Sequence, residues 1–436
     1  MVPSPYLIWA VAAVGFPATL ALALFPGARL PAILAMVVLV LAAILDALLK
    51  DRALAGLRVQ LPELVRAVEG REVILPVLIH NSESKARTLR LALVFPEGLS
   101  SAFEEQLVRL PADTGAVRLQ WPCMPDRRGR HVVDACYLEA ASPLGLWTVR
   151  RRDSVALELR AYPNLRDDAA LLAPRRGQVG VHSLRQVGRG REFERLREYQ
   201  PGDGAEDIDW KATARRGRPV TKVFQVERTQ EVYVILDNSR LSGRSSGNQT
   251  NLDRAIKAAL LTGAAVENHG DLFGLAAFSD QVETFVRARA GKTHYASCRD
   301  AIYQIRPRTV SPDFDEIATL LRLRLRRRSL LIFLTALDDP LSAENFTRAT
   351  RLLASRHLVV AGMLRPAGAN QIFTDVIVET AHDVYQQLAG HLAWRKLREL
   401  EGTLSRQGVR LTLFAPDHFA MSLIGLYDEI KQRQLV

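Results

Sequence analysis

Hydrophobic and polar positions change rhythm three times along the chain. At the amino terminus, Tyr6 to Phe25 is uncharged, and so is Leu30 to Leu45. Each run can extend to about 20 helical residues, roughly the 30 Å of a bilayer's hydrocarbon core. The pattern predicts transmembrane helices over about 6–25 and 30–49, joined by a tight turn at "PGAR", 26–29. A cleaved signal peptide would need a basic start and a single apolar stretch, and neither is present. Lys50, Arg52 and Arg58 follow the second span, whereas the turn carries only Arg29. The positive-inside rule therefore places both ends, and everything after residue 50, in the cytoplasm.

From 53 to 163 the rhythm is that of short strands. "EVILPVLIHN" and "LRLALVFP" are strand-like runs ended by turn residues, and "SVALELRAYP" alternates apolar with polar in its later half. Short strands without intervening helices predict a small β-sandwich. Residues 164–228 form a charged linking segment. From 229 to 436 apolar strands alternate with helical stretches: "EVYVILDNS", "DLFGLAAFSD", "SLLIFLTALDD", "HLVVAGMLRP" and "VRLTLFAP" read as strands, with "QVETFV" a short antiparallel partner. That alternation predicts a doubly wound, Rossmann-type α/β domain. Its ligands belong outside the carboxyl ends of the strands, in the loops after Leu236, near 306–313 and after Thr335.

Composition adds a charge bias: 58 basic against 47 acidic residues, a formal +11. The excess implies an anionic neighbour, whether nucleic acid, an anionic leaflet or an acidic protein. Nucleic acid is disfavoured, because the basic residues are not interleaved with aromatics, which total 7 %. Cys123, Cys136 and Cys298 have no CxxC or Cys/His ligand spacing and read as reduced, packed thiols. "GKT", 291–293, is not a P-loop: the glycine needed five residues earlier is Val286. There is no G-x-S-x-G and no H-E-x-x-H, and no catalytic constellation stands out. "RLRLRRRSL", 322–330, places five Arg at an expected helix carboxyl end, where they complement the dipole. A contact for an acidic partner or anionic headgroups is the minor alternative.

One segment carries a resemblance. "GREFERLREYQPGDGAEDIDWKATARRG…VTKVFQVERTQEVYVILDNS" resembles the signature of the bacterial domain-of-unknown-function-58 family. The matching positions are Arg197, Tyr199, Pro201, Gly202, Asp203, Ile208, Asp209, Trp210, Lys211, Ala214 and Arg215, then Phe224, Glu227 and Asp237. "RRGRHVV…SPLGLW…YP" and "LSRQGVRLTLFAPDHF…LYDEIK" are similar to the family as well. The resemblance implies two membrane spans, a β region, and a von Willebrand factor A-like domain after the signature. It also implies a membrane-anchored, cytoplasm-facing adaptor of the inner membrane, without enzymatic activity. The implied partner is a MoxR-type AAA ATPase, in complex assembly, protein maturation or metal insertion.

Von Willebrand A domains often hold a metal ion through Asp-x-Ser-x-Ser, a Thr in a second loop and an Asp after a later strand. Here Asp237 and Ser239 match, but the third position is Leu241 and Ser242 is one step too far. Ser311 or Pro312 falls near the place of the Thr, and Ala336 stands where relatives have Asp, with Asp338 and Asp339 just beyond. Mg²⁺ demands near-octahedral oxygen geometry. The expectation is at most weak Mg²⁺ binding through Asp237, Ser239 and Asp338. The alternative function, a metal-ion-dependent, adhesion-type binder acting directly, needs that site intact.

The signature itself has two readings. Asp209 is placed to cap a short helix beginning at Trp210, with Lys211 and Arg215 on one face. Arg197, Asp203 and Asp209 either join a charge network that clamps the segment to the fold, or the segment is a docking surface. A clamp buries Trp210, and Trp210→Ala then costs about 3–5 kcal/mol.

Overall fold

The computed structural model describes residues 1–25, 27, 29–112, 114–166, 187–188, 192–200, 204, 208–225, 229–246, 249–371 and 380–433. The chain divides after Asn164 into two units.

In the first unit, helices α1 (Pro5–Leu24) and α2 (Arg29–Leu48) are each 20 residues long. Their mean hydropathies are 2.1 and 2.6, and most of their apolar side chains are exposed. Both are long and apolar enough to cross a membrane. A short helix, α3 (Asp51–Leu54), leads into the strands. One sheet holds β1 (Val2–Pro3), β3 (Leu64–Val68), β5 (Arg87–Leu93), β7 (Gln106–Leu110), β9 (Gly129–Ala141) and β10 (Trp147–Tyr162). The other holds β2 (Leu57–Gln60), β4 (Val73–Asn81), β6 (Leu99–Ser100) and β8 (Ala116–Pro125). Alternate residues of β4 (Leu75, Val77, Ile79) and of β5 (Leu89, Leu91, Leu93) enter one core around Trp121, as the period of two requires.

The turn between β9 and β10, residues 142–146, and Trp147 at the start of β10 grip the helical hairpin. Asp46, buried near the end of α2, accepts from the Leu144 and Leu146 backbone N–H groups at 2.9 and 3.0 Å and from the Ser142 hydroxyl. The Trp147 indole donates to the Ala43 carbonyl at 2.8 Å. At the start of α1, Ser4 caps the helix through Leu7 N–H and donates its hydroxyl to the Gly145 carbonyl at 2.6 Å. The hydropathy pattern gives Asp46 no role; its partners lie about a hundred residues away in sequence.

In the second unit, β11 (Val187–Gly188), β12 (Glu192–Glu198) and β13 (Val220–Gln225) form a small sheet ordered β11-β13-β12. The main sheet contains β14 (Glu231–Asp237), β17 (Leu272–Phe278), β18 (Val282–Arg289), β19 (Ser329–Leu334), β20 (Leu358–Leu364) and β21 (Val409–Phe414). Its order is β18-β17-β14-β19-β20-β21, parallel throughout except for the antiparallel edge strand β18. The expected doubly wound sheet and its antiparallel partner are both present. Val232, Val234 and Leu236 of β14 face a layer with helices α5 (Asn251–Asn268), α6 (Lys292–Ile302) and α10 (Phe419–Gln432). Tyr233 and Ile235 face α7 (Phe314–Arg324), α8 (Pro340–Ala354) and α9 (Ala381–Arg406). The two short strands β15 (Ser245–Ser246) and β16 (Gln249–Thr250) lead into α5, where Thr250 and Asp253 form a capping box.

Replacing Asp46 with Ala leaves three donors of the 142–146 turn without an acceptor, at about 1–3 kcal/mol for a buried group. Asp46→Ala should lower stability by about 3 kcal/mol in a detergent-solubilised thermal melt, and Asp46→Asn by clearly less, because one acceptor oxygen remains.

Candidate functional site

Strand order reverses between β14 and β19, and such a switch point opens a crevice beyond the strands' carboxyl ends. A cavity of about 400 Å³ lies there, lined by Asp237 from β14, Leu334 from β19, Thr335 and Ala336 just beyond it, and Gly362 and Met363 from β20. Arg244, Arg254 and Arg365 line it too, along with Phe419.

Asp237 is 3 % exposed. Its Oδ1 accepts from Ser239 N–H at 2.8 Å and its Oδ2 from the Thr335 hydroxyl at 2.5 Å. Burial pushes its carboxyl above the ordinary aspartate range, against the opposing pull of Ser239 and Thr335. Asp338 is paired with Arg244. The Ser242 hydroxyl donates to the Ser239 carbonyl at 2.7 Å, and Leu241 is buried. The loop expected to supply Ser311 or Pro312 is fixed by its backbone instead: Val310 O accepts from Arg240 N–H, and Asp313 caps α7 through Asp315 and Glu316. Asp339 likewise caps α8 through Ser342.

The residues present do not fit an octahedral Mg²⁺ site. Both oxygens of Asp237 accept from protein donors, Asp338 is paired with a guanidinium, and Leu241 and Ala336 offer no side-chain oxygen; Ser239 Oγ and Asp338 Oδ1 are left buried without a hydrogen-bond partner, too few oxygens for six-fold coordination. Among the described residues no group of three or more His, Cys, Asp and Glu comes together to hold a metal. Asp237 and Asp338, expected as ligands, do share the cavity. Thr335, which no motif singles out, is the side chain that completes the Asp237 contact. The neighbouring loops are tied by a polar cluster in which Asn238 donates to Glu283 at 2.9 Å and Arg308 to Asp280 at 2.8 Å.

The signature segment is built differently. Asp209 caps α4 (Trp210–Arg216) by accepting from Ala212 N–H at 2.9 Å, as its position predicted. Gly217, at φ 67°, closes the helix in the left-handed region that glycine adopts without strain. Asp209 N–H donates to Val220 O and Tyr199 N–H to Pro219 O, so backbone bonds hold the segment beside β13. No residue of α4 is buried, and Trp210 is 70 % exposed. A clamp built on a buried Trp210 is therefore overturned; the anchoring is done by the Asp209 cap and the backbone. Lys211 and Arg215 are exposed on the same helix, Tyr199 is partly exposed, and Arg197 donates to the Glu198 carbonyl at 3.3 Å. Pro201, Gly202, Asp203 and Glu227 lie outside the described residues, as does the proposed Asp203 link in the charge network. Phe224 is described only through its backbone in β13.

Residues 195–369 match the family described as "Protein of unknown function DUF58". That span runs from the signature through β20. Over 176 residues the chain is 28 % identical to the uncharacterized protein Rv1480 of Mycobacterium tuberculosis, covering 40 % of this chain and 55 % of that one. It spans about half the length of that relative. A 42-residue stretch is 40 % identical to the uncharacterized protein YeaD of Bacillus subtilis, covering 10 % of this chain and 11 % of that one. Among solved structures, BatB from Bacteroides thetaiotaomicron aligns with a TM-score of 0.33 and 13 % identity, over 48 % of this chain and 100 % of its own. An aerotolerance-related membrane protein from Bacteroides fragilis aligns at 0.32 and 17 %, over 47 % and 99 %.

The three cysteines are buried and free, and burial pushes Cys123 and Cys298 up to about 12 and Cys136 to about 11. They stay protonated at neutral pH and offer no nucleophile.

A raised folded-state pKa at Asp237 contributes stability that is full below the unfolded value, about 3.9, and is lost as pH rises through the folded value. Asp237→Asn should remove that loss, giving a melting temperature at neutral pH equal to or above the parent's, with the advantage vanishing in acid. Calorimetry with Mg²⁺ on the same two proteins should register no binding to either.

Proposed function

We propose that the protein is a membrane-anchored, cytoplasm-facing adaptor that binds other proteins rather than catalysing a reaction. On this reading its partner is a MoxR-type AAA ATPase, and the work is complex assembly or protein maturation. The observation that carries the proposal is Trp210. A large aromatic, 70 % exposed, stands on a short helix that buries nothing, beside the exposed cations Lys211 and Arg215. Exposing a Trp has no folding benefit, whereas Trp and Arg dominate the energetics of protein interfaces. The Asp209 cap and the backbone bonds to β13 hold the helix in place before any partner arrives, which lowers the ordering cost of binding.

Two further features support the reading. The cavity beyond β14 and β19 combines arginines with Leu252, Met363 and Phe419, a lining suited to a peptide that carries an acidic and an apolar side chain. The antiparallel edge on an otherwise parallel sheet agrees with a von Willebrand A-like domain. The metal-ion-dependent alternative lacks support from the Asp237 and Asp338 contacts described above.

Trp210→Ala should leave stability within about 0.5 kcal/mol of the parent, as for other exposed positions, yet lose the ATPase in a pull-down from native membranes. Retention of the ATPase at parental levels would sink the docking assignment. For topology, Gly27→Cys should react with an impermeant thiol reagent added to intact cells, while Arg244→Cys should not; labelling at 244 would place the second unit outside. The native cysteines are buried and contribute little background.

A further inference from the structure

At the amino-terminal edge of the main sheet, opposite the cavity just described, the arginine run does something its sequence position does not announce. Helix α7 ends at Arg324, so Arg326, Arg327 and Arg328 lie beyond it, in the link to β19, rather than on the helix's last turn as expected. The loop between α8 and β20 brings Arg356 and His357 against them. Arg322, Arg326, Arg327, Arg328, Arg356 and His357 line one cavity of about 450 Å³, and no acidic residue is among its lining.

Like charges gathered in this way repel unless an anion sits among them. Three other exposed arginines of this unit do have acidic partners: Arg308 with Asp280, Arg348 with Asp315, Arg410 with Glu429. Among the described residues, Arg322, Arg326, Arg327 and Arg356 have no ion-pair partner. His357 is 5 % exposed, and its Nδ1 is buried without a hydrogen-bond partner. A buried polar atom left unsatisfied calls for an explanation, and a bound ion is one of those available.

We propose that this cavity binds a phosphate-bearing anion, held by the guanidinium groups of Arg326, Arg327 and Arg356 and contacted by His357. Guanidinium forks match phosphate oxygens in pairs, and several positive charges select a multiply charged group over a lone carboxylate. Burial, with Arg356 and Arg328 nearby, holds His357 below the ordinary histidine range. The imidazole is thus neutral near pH 7 and acts as a directional hydrogen-bonding group, while the arginines supply the charge. The phosphate has two natural sources, the headgroup of an anionic phospholipid or a soluble polyphosphate. Leu323, 77 % exposed beside these arginines, gives the lipid source an apolar contact.

The test uses the full-length protein and reads amide hydrogen exchange over 322–328 and 356–357. One arm titrates inorganic pyrophosphate into the detergent-solubilised protein. The other compares nanodiscs of phosphatidylcholine alone with nanodiscs that also contain phosphatidylglycerol. Protection in either arm, weakening as salt rises, is the expected result, and the arm that responds identifies the source. Arg326→Gln/Arg327→Gln should raise the midpoint by about thirtyfold, the loss expected for two basic groups at an anionic surface. Arg395→Gln/Arg398→Gln on α9, which removes the same charge elsewhere, should leave it unchanged. The proposal is overturned if neither arm protects these residues, or if the two double variants weaken protection equally.

Discussion

Strand β14 is buried on both faces, and the organisation of the second unit follows from that. Its side chains alternate between two helical layers, so every neighbour must also be covered on both sides, and parallel strands linked by helices satisfy this. The sheet then grows outward from β14 in both directions, and the reversal of order leaves a crevice where Asp237 ends the strand. A carboxylate in that position is costly to bury. The structure answers with Ser239 N–H and the Thr335 hydroxyl.

The two edges of that sheet carry different chemistry. The carboxyl edge mixes buried acid, arginine and apolar surface, in keeping with a shaped protein ligand. The amino edge gathers arginines around a buried histidine, in keeping with a small, dense anion. Surface ion pairs such as Arg308–Asp280 and Arg410–Glu429 cancel in net charge, and each contributes little to stability. Arg322, Arg326, Arg327 and Arg356 differ in being gathered around one cavity without an acidic residue in its lining.

In the first unit a single carboxylate plays the corresponding part. Asp46 lies at the end of a helix apolar enough for a membrane, and its acceptors are filled by the 142–146 turn of the β-sandwich. With Trp147 bonded to Ala43 and Ser4 to Gly145, the "SPLGLW" turn ties the start of α1 and the end of α2 to the sandwich. The turn's residue types become intelligible once those contacts are seen: Ser142 and Trp147 supply side-chain donors, and the backbone between them supplies the rest.

The sequence by itself determined the elements whose signals are local. Two uncharged runs set the helical hairpin, alternation set the sandwich strands, and continuous apolar runs separated by helical spacing set the parallel sheet. Asp209 at a helix start was legible for the same reason, because a cap acts over three residues. Tertiary structure alone decided the rest. The exposure of Trp210 depends on what packs over α4, and nothing in the described structure does. The partners of Asp46 lie about a hundred residues away. Thr335 reaches Asp237, and Arg244 reaches Asp338, across more than ninety positions, which gave both expected metal ligands protein partners instead. Arg356 and His357 join the arginine run only because α8 returns the chain to the amino edge of the sheet, a proximity set by the winding of the fold and not by any spacing in the sequence.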